Sequence, residues 1–316
     1  MEEKKIIAVL GATGAQGGGL AYAILNDKNS QFKVRAITRK PDSDKAKALT
    51  QAGAEVVRAD LDDVESLKKA FKGVYGVFGV TNYWEHFSPE REIIQGSNIA
   101  KAAKSAGVEH VVWSSFEDTR DRIPLDDNRM PTLLGNYKVP HFDSKGEVNR
   151  VFANLAVPTT YMFTSFYWDN FIYFGMGPKP GQDGVLAITF PMGKKKLAGI
   201  AAADIGKCAY GIFKKGKSMV GKTVGIAGQH VSGLEMANAF TNALGKEVVY
   251  NEVPADVYRG FGFPGADDLG NMFQYKHDFN EDYNGFRNVE KTRELNPELQ
   301  SFGQWLAANK HRIPIQ

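Results

Sequence analysis

Residues Ile6-Ile7-Ala8-Val9-Leu10 form an apolar run that passes directly into Gly11-Ala12-Thr13-Gly14-Ala15-Gln16-Gly17-Gly18-Gly19, and an alanine-rich helical pattern follows from Leu20. Few arrangements constrain a fold as tightly. Glycines at 11, 14 and 17 allow a sharp turn, leave the backbone bare for a pyrophosphate, and let the next helix pack closely against a sheet. The first N–H groups of that helix have no intrahelical acceptor and suit an anion. A glycine triplet alone is weak evidence, but here it has the strand before it and the helix after it that the motif requires. The pattern points to a bound dinucleotide.

The 316 residues, 43% of them apolar, are ample for one large domain or a large and a small one. A balance of 39 basic against 36 acidic residues is too even to indicate direct nucleic-acid binding or an anionic membrane surface. Lys194-Lys195-Lys196 and Lys214-Lys215 read as solvated loop charges. The single cysteine, Cys208, excludes an internal disulfide and sits among apolar residues as a small hydrophobe would. Five apolar residues near the N-terminus are too few for a signal peptide, and no run approaches a membrane span. A reducing, cytosol-like compartment is the default expectation.

Along the chain, strands are expected at Lys33–Thr38, Glu55–Arg58, Val74–Val80, His110–Ser115 and Thr159–Phe163. Helical spacing fills the gaps: Asp44–Ala52 ended by Gly53, Val64–Phe71 capped by Gly73, Glu90–Ala106 started by Ser88-Pro89 and stopped by Gly107, and His141–Leu155. This alternation describes a doubly wound, parallel Rossmann-type α/β sheet over residues 1–157. Residues 116–140, with prolines at 124, 131 and 140, read as a long loop at a strand's carboxyl end, where ligands sit. Residues 158–316 read mostly as a smaller α+β domain, with some segments returning to the sheet. Its expected elements are strands at Leu186–Phe190, Val224–Ala227 and Glu247–Glu252 and helices at Leu234–Leu244 and Ser301–Lys310. Phe261-Gly262-Phe263-Pro264-Gly265 and the final helix are expected to cap a cleft, although aromatic packing explains them as well.

The end of the second strand selects the dinucleotide. An NAD site usually places Asp or Glu there for the ribose 2′-hydroxyl, whereas this chain reads Thr38-Arg39-Lys40. A guanidinium meets a 2′-phosphate bidentately, so Arg39 favours NADP(H), the alternative being a solvated surface arginine. Asp60 and Leu61, ending the third strand, would lie beside the adenine. Thr81, Asn82 and Tyr83, following the fourth, would run along the nicotinamide half.

Short-chain reductases protonate carbonyls with a tyrosine that stands one helical turn before a lysine. Here the helix reads His141-Phe142-Asp143-Ser144-Lys145. The lysine is present and its partner is a histidine, while Tyr137 is set apart by Pro140. Lys145 is then expected to bond the nicotinamide ribose. His141 is a candidate proton donor, although a histidine at a helix start more often serves a structural or solvated role. Ser114 and Ser115 stand where a substrate-orienting serine would be, but strand ends favour serine anyway. No metal-ligand spacing and no G-x-S-x-G elbow occur. Two P-loop matches, Gly211–Ser218 and Gly216–Thr223, lack the strand before and helix after that a phosphate cradle needs.

These residues resemble the NmrA-like family of atypical short-chain dehydrogenases, most closely its redox-sensor type. The carriers are Gly11–Gly18, Val80-Thr81-Asn82-Tyr83-Trp84-Glu85, His141–Val148, Gly262-Phe263-Pro264-Gly265-Ala266, Asn271-Met272-Phe273, Leu295-Asn296-Pro297 and Gln304-Trp305-Leu306. The resemblance implies an NADP(H) or NADP+ binder that lacks the catalytic tyrosine and reports cofactor state to regulatory or metabolic protein partners, in the cytoplasm or also the nucleus. A homodimer stays open. It carries cofactor contacts onto Gly11, Ala12, Thr13, Gly14, Ala15, Gln16, Arg39, Lys40, Pro41, Asp42, Ser43, Asp60, Leu61, Thr81, Asn82, Tyr83, Lys145, Tyr167, Trp168, Asp169 and Asn170. One departure is visible: Ile93-Ile94-Gln95-Gly96 stands where the sensor type has a cofactor-contacting lysine. The sensor reading competes with an NADPH-dependent reductase, quinone- or isoflavone-reductase-like, using Lys145 or His141, and with a scaffold whose cofactor is merely structural. The aromatic cluster Phe163, Phe166, Tyr167, Trp168 and Phe171 fits either a substrate pocket or plain core.

Overall fold

The computed structural model describes residues 3–181 and 183–315. Strand and helix alternate through β1 (Lys5–Val9), α1 (Ala15–Asn26), β2 (Phe32–Thr38), α2 (Asp44–Gln51), β3 (Glu55–Arg58), α3 (Val64–Ala70), β4 (Gly76–Gly79), α4 (Pro89–Ser105), β5 (His110–Ser115), α5 (Pro140–Asn154) and β6 (Thr159–Phe163). Then come β7 (Phe166–Tyr167), α6 (Asn170–Tyr173), β8 (Lys179–Pro180), β9 (Leu186–Phe190), β10 (Lys196–Ile200), α7 (Ala202–Lys215) and β11 (Thr223–Gly225). The rest comprises β12 (Gln229–Ser232), α8 (Gly233–Leu244), β13 (Val248–Glu252), α9 (Ala255–Arg259), α10 (Ala266–Asp278), α11 (Asn280–Phe286), α12 (Val289–Arg293) and α13 (Phe302–Asn309).

Seven strands form one parallel sheet in the order β3-β2-β1-β4-β5-β6-β11. Alternation along each strand feeds both faces. Ile7 and Val9 join Leu20, Ile24, Ile205 and Phe213 on the α1–α7 side, whereas Ala8 and Leu10 join Leu67, Ile99 and Phe152 on the other. Strand order reverses between β1 and β4, which opens a crevice at their carboxyl ends. The glycine turn after β1 and Thr81 after β4 both lie there.

Two further three-stranded sheets, β12-β10-β7 and β13-β9-β8, surround a second core rich in Phe166, Trp168, Phe171, Phe190, Phe240, Phe273, Phe302 and Trp305. The second half also returns to the first: β11 pairs with β6, and α7 packs against α1. That helix pair depends on missing side chains. A Cβ at Gly206 would lie 2.2 Å from Leu20 N and 2.3 Å from Gln16 O, and one at Gly19 would lie 2.3 Å from Ala203 O. Backbone cannot yield there as a flexible side chain would.

Helix α7 carries Gly206 and Gly211, which lower its intrinsic propensity, and its apolar residues cover most of its surface, so its stability comes from tertiary packing. The P-loop matches fall where α7 ends and β11 begins, the reverse of a phosphate cradle. Cys208 is fully buried, and burial pushes its thiol well above the usual range.

Gly206→Val is expected to lift α7 from α1 and destabilise the fold by about 3 kcal/mol or more, read as a shifted urea midpoint.

Candidate functional site

A cleft of about 690 Å³ opens where the glycine turn meets the second half of the chain. Its floor is Thr13, Gly14, Ala15, Gln16, Thr81, Asn82, Tyr83 and Lys145, and its other walls include Ser165, Phe166, Tyr167, Asp169, Asn170, Ala202 and Ala203. Aromatic and apolar groups close it: Trp84, Phe116, Tyr173, Phe174, Met176, Leu269 and Met272. The turn fits a pyrophosphate. Gly11 has a φ of +61°, a Cβ at Gly17 would lie 2.4 Å from Gly11 O, and the N-cap residue Gly14 brings no side chain to the free N–H groups of α1.

Gln16 is held on two sides. Its amide donates to Tyr167 Oη at 3.0 Å and its carbonyl accepts from Ser114 Oγ at 2.7 Å. Burial pushes the Tyr167 hydroxyl up to about 12, so it stays protonated. Burial, reinforced by Asp268, does the same to Tyr83, further above the ordinary range.

Lys145 has a partner that sequence reasoning missed. Its Nζ donates to Glu92 Oε1 at 2.5 Å and to Thr81 Oγ1 at 2.6 Å, and Thr81 in turn bonds Glu92. Glu92 lies fully buried on α4, immediately before the Ile93-Ile94 departure. Burial would raise its carboxyl, but Lys145, with His86 and Thr81, holds it at about 2.

His141 is neither solvated nor merely packed. Its Nδ1 meets Asp268 Oδ1 at 2.6 Å, and Asp268 Oδ2 accepts from the His141 backbone N at 3.2 Å. One carboxylate from α10 therefore fixes the ring and caps the first turn of α5. No hydrogen-bond partner takes Nε2 among the described residues, and the atom is not sealed from solvent. The ring stands 4.8 Å from Trp84 and 5.9 Å from Tyr83, in the cleft wall.

Of the remaining expected contacts, Asp169 lines the cleft wall, whereas Arg39 to Ser43, Asp60, Leu61 and Trp168 do not. Arg39 forms a two-pronged ion pair with Glu85, at 2.7 and 3.1 Å. Lys40 to Ser43 make the turn into α2, with Pro41 and Asp42 inside it and Ser43 accepting from Ala46 N. Asp60 Oδ1 accepts from Asp62 N, and Leu61 O accepts from Asn98. Asp169 accepts from Ala202 N at 2.8 Å and holds the start of α7. Trp168 turns the other way, into the second core beside Gly199, Phe302 and Trp305.

The expected cap is also different. Phe302 and Trp305 of α13 are core residues, and Phe261 and Phe263 lie exposed beside Tyr258. The wall is instead Leu269, Met272 and Lys276 of α10, with Arg312 beyond α13, while Gly265 backs onto Trp84. Lys45, which lines the cleft from the start of α2, and Glu85, Glu92, Ser165, Asp268, Lys276 and Arg312 were not read from the sequence. Only Asp268 and Glu92 had a signal available, a carboxylate inside an otherwise apolar helical face.

The described residues hold no cluster of potential metal ligands and no helix long and apolar enough to cross a membrane.

Sheet order, glycine turn and carboxyl-edge cleft define an NAD(P)-binding fold of the Rossmann type. The chain belongs to the NmrA-like family, whose model matches residues 3–306. The NmrA-like family domain-containing oxidoreductase FrzB of a Cladobotryum species is 30% identical over 295 residues, spanning 85% of this chain and 83% of its own. NmrA, a negative transcriptional regulator solved in complex with NADP, aligns with a TM-score of 0.76 at 22% identity, over 97% of this chain and 95% of its own. A triphenylmethane reductase from Citrobacter sp., complexed with NADP(H), gives 0.71 at 21% identity, over 95% and 98%.

The Glu92 carboxyl is depressed in the folded state, so its stabilisation is complete above about pH 4.5 and is lost as pH falls toward 2. Glu92→Gln is expected to flatten that acid limb and to cost about 3 kcal/mol at pH 7, measured by urea unfolding across the range.

Proposed function

We propose that the cleft binds NADP(H) and reduces an apolar carbonyl-type compound, with His141 as the proton donor. The observation that carries this reading is the His141–Asp268 pair. It sits one helical turn from Lys145, where the short-chain reductases have tyrosine, and leaves Nε2 to the cleft. Gly11 to Gln16 would hold the pyrophosphate, Arg39 the 2′-phosphate, and Thr81, Asn82 and Lys145 the nicotinamide half. Bound there, the reduced cofactor supplies hydride.

The chain's own residues do the rest. Asp268 keeps the proton on Nδ1 in place, so the imidazolium gives its Nε2 proton to the carbonyl oxygen as that oxygen gains charge. Lys145 is held in position by its hydrogen bonds to Glu92 and Thr81. Tyr83 is a poorer donor, because burial and Asp268 oppose its phenolate. Support comes from the apolar walls and from relatives named as oxidoreductases.

Regulation by cofactor state is the second reading, favoured by the likeness to NmrA and by the Arg39–Glu85 pair. A 2′-phosphate on Arg39 would compete with Glu85, and so act on the turn that carries Trp84. Protein partners, regulatory or metabolic, would read that change.

Two tests follow. NADPH oxidation is measured with a quinone, which needs hydride and a proton, and with a cationic triarylmethane dye, which needs hydride alone. His141→Ala is expected to slow the quinone about a hundredfold or more while leaving the dye within a few-fold, and Tyr83→Phe is expected to spare both. Absence of hydride transfer to either compound would sink the reductase reading in favour of the sensor. In direct titrations, Arg39→Ala is expected to weaken NADPH about tenfold or more against an unchanged NADH, and Glu85→Gln to tighten NADPH.

A further inference from the structure

The cleft's inner end holds an amine with no counter-charge. Lys276 is 1% exposed, and its Nζ has one hydrogen-bond partner among the described residues, Met272 Sδ at 3.2 Å. Four rings surround it, Phe142 and Tyr283 at 5.5 Å and Phe166 and Phe273 at 5.9 Å from Nζ to centroid. The charged groups acting on it are Arg287 and Glu117. Glu117 is already taken, because the Arg287 guanidinium donates to both its oxygens, at 3.2 and 2.6 Å, while stacking 3.7 Å from Tyr283. Ser165 adds a second loose end: its hydroxyl is buried and has no hydrogen-bond partner. Both residues line the cleft, with Phe166 and Met272.

A methionine or leucine would fill the space of Lys276 without desolvating an amine, so nothing in the packing calls for nitrogen. A ligand does. We propose that the inner end of the cleft is an anion subsite, in which Lys276 and Ser165 receive the carboxylate of an aromatic-sized, otherwise apolar substrate. This rests on reading the cleft as a substrate pocket. Burial holds the free amine down at about 7, and an arriving carboxylate restores its charge, with the four ring faces accepting the cation. Ser165 Oγ donates to the second oxygen. The substrate class is therefore an aryl-bearing carboxylic acid whose reducible group lies toward His141.

The test compares 3-phenylpropionate with its uncharged twin 3-phenylpropan-1-ol by calorimetry on the full chain, with and without NADP+. The acid is expected to bind at least tenfold tighter than the alcohol. At pH 8 it should draw about one proton from solution per molecule bound, seen as a buffer-dependent heat in phosphate against Tris. Lys276→Met is expected to abolish both the preference and the proton uptake while keeping or raising the melting temperature. Ser165→Ala should weaken the acid several-fold.

Equal binding of acid and alcohol, no acid binding at millimolar concentration, or a preference that survives Lys276→Met overturns the proposal. So does borohydride trapping of cinnamaldehyde on Lys276 without preference for the acid, which would make the amine a nucleophile. Should Lys276→Met fail to fold, proton uptake by the wild type still decides. Failure of NADPH binding or hydride transfer would strike the reductase reading alone, since the acid-to-alcohol ratio is measured without either.

Discussion

One turn of helix, Pro140 to Lys145, is entirely buried although it carries His141, Asp143, Ser144 and Lys145. Burying four polar side chains in one turn is tolerable only if each finds its partner, since each unpaired group would cost on the order of 1–3 kcal/mol. The partners come from everywhere. Asp268 arrives from α10, Glu92 from α4 and Thr81 from the end of β4, and Ser144 bonds back to Pro140 O. Asp143 collects Thr119 N and Oγ1 and the backbone N of Lys138 and Val139. The long loop 116–140 is thereby pinned to the helix that follows it, and the second half of the chain is tied to the first in the cleft wall.

The cleft holds two lysines in opposite surroundings, Lys145 from this turn and Lys276 from α10. Lys145 has a buried carboxylate and a threonine hydroxyl within hydrogen-bond distance, so it is paired inside the protein and held in place. Lys276, across the cleft, has aromatic faces and a thioether and no free carboxylate. Its charge is therefore conditional on what enters. His141 lies between these regimes, with one nitrogen committed to Asp268 and the other left to the cleft. A paired lysine, an amine without a carboxylate partner and an imidazole with one nitrogen free are three different surroundings, and α4, α5 and α10 bring them to one cavity.

Much of this was legible from sequence where periodicity or a special residue dictated it. β5, β6 and β9 fall on the residues that their apolar runs mark, and Ser88-Pro89 starts α4 where the capping pattern puts it. β4 is shorter than its apolar run, since Val74 still belongs to the turn that Gly73 makes. The glycine turn was readable because its chemistry is local. Glu92 and Asp268 were marked only by standing within apolar helical faces, and Lys276 by nothing, because a charged residue on a helix reads as solvated until tertiary contact buries it. Trp168 illustrates the converse: its neighbours Tyr167 and Asp169 line the cleft, while the indole, just past β7, packs into the second core against Phe302.

The short turn Tyr83-Trp84-Glu85 joins the ends of the site. Glu85 grips Arg39 at the carboxyl end of β2, Trp84 lies against His141, Phe174 and the backbone of Gly265, and Tyr83 lines the cleft beside them. Three consecutive residues cannot move independently. The Arg39–Glu85 pair is exposed enough that solvent screens it and a competing anion can replace the carboxylate at modest cost. The His141–Asp268 pair is buried and cannot be exchanged so cheaply. An anion at Arg39 would thus loosen the soft end of a lever whose other end rests on a fixed one, so it would act on the Trp84 wall of the cleft and not on the buried His141–Asp268 pair.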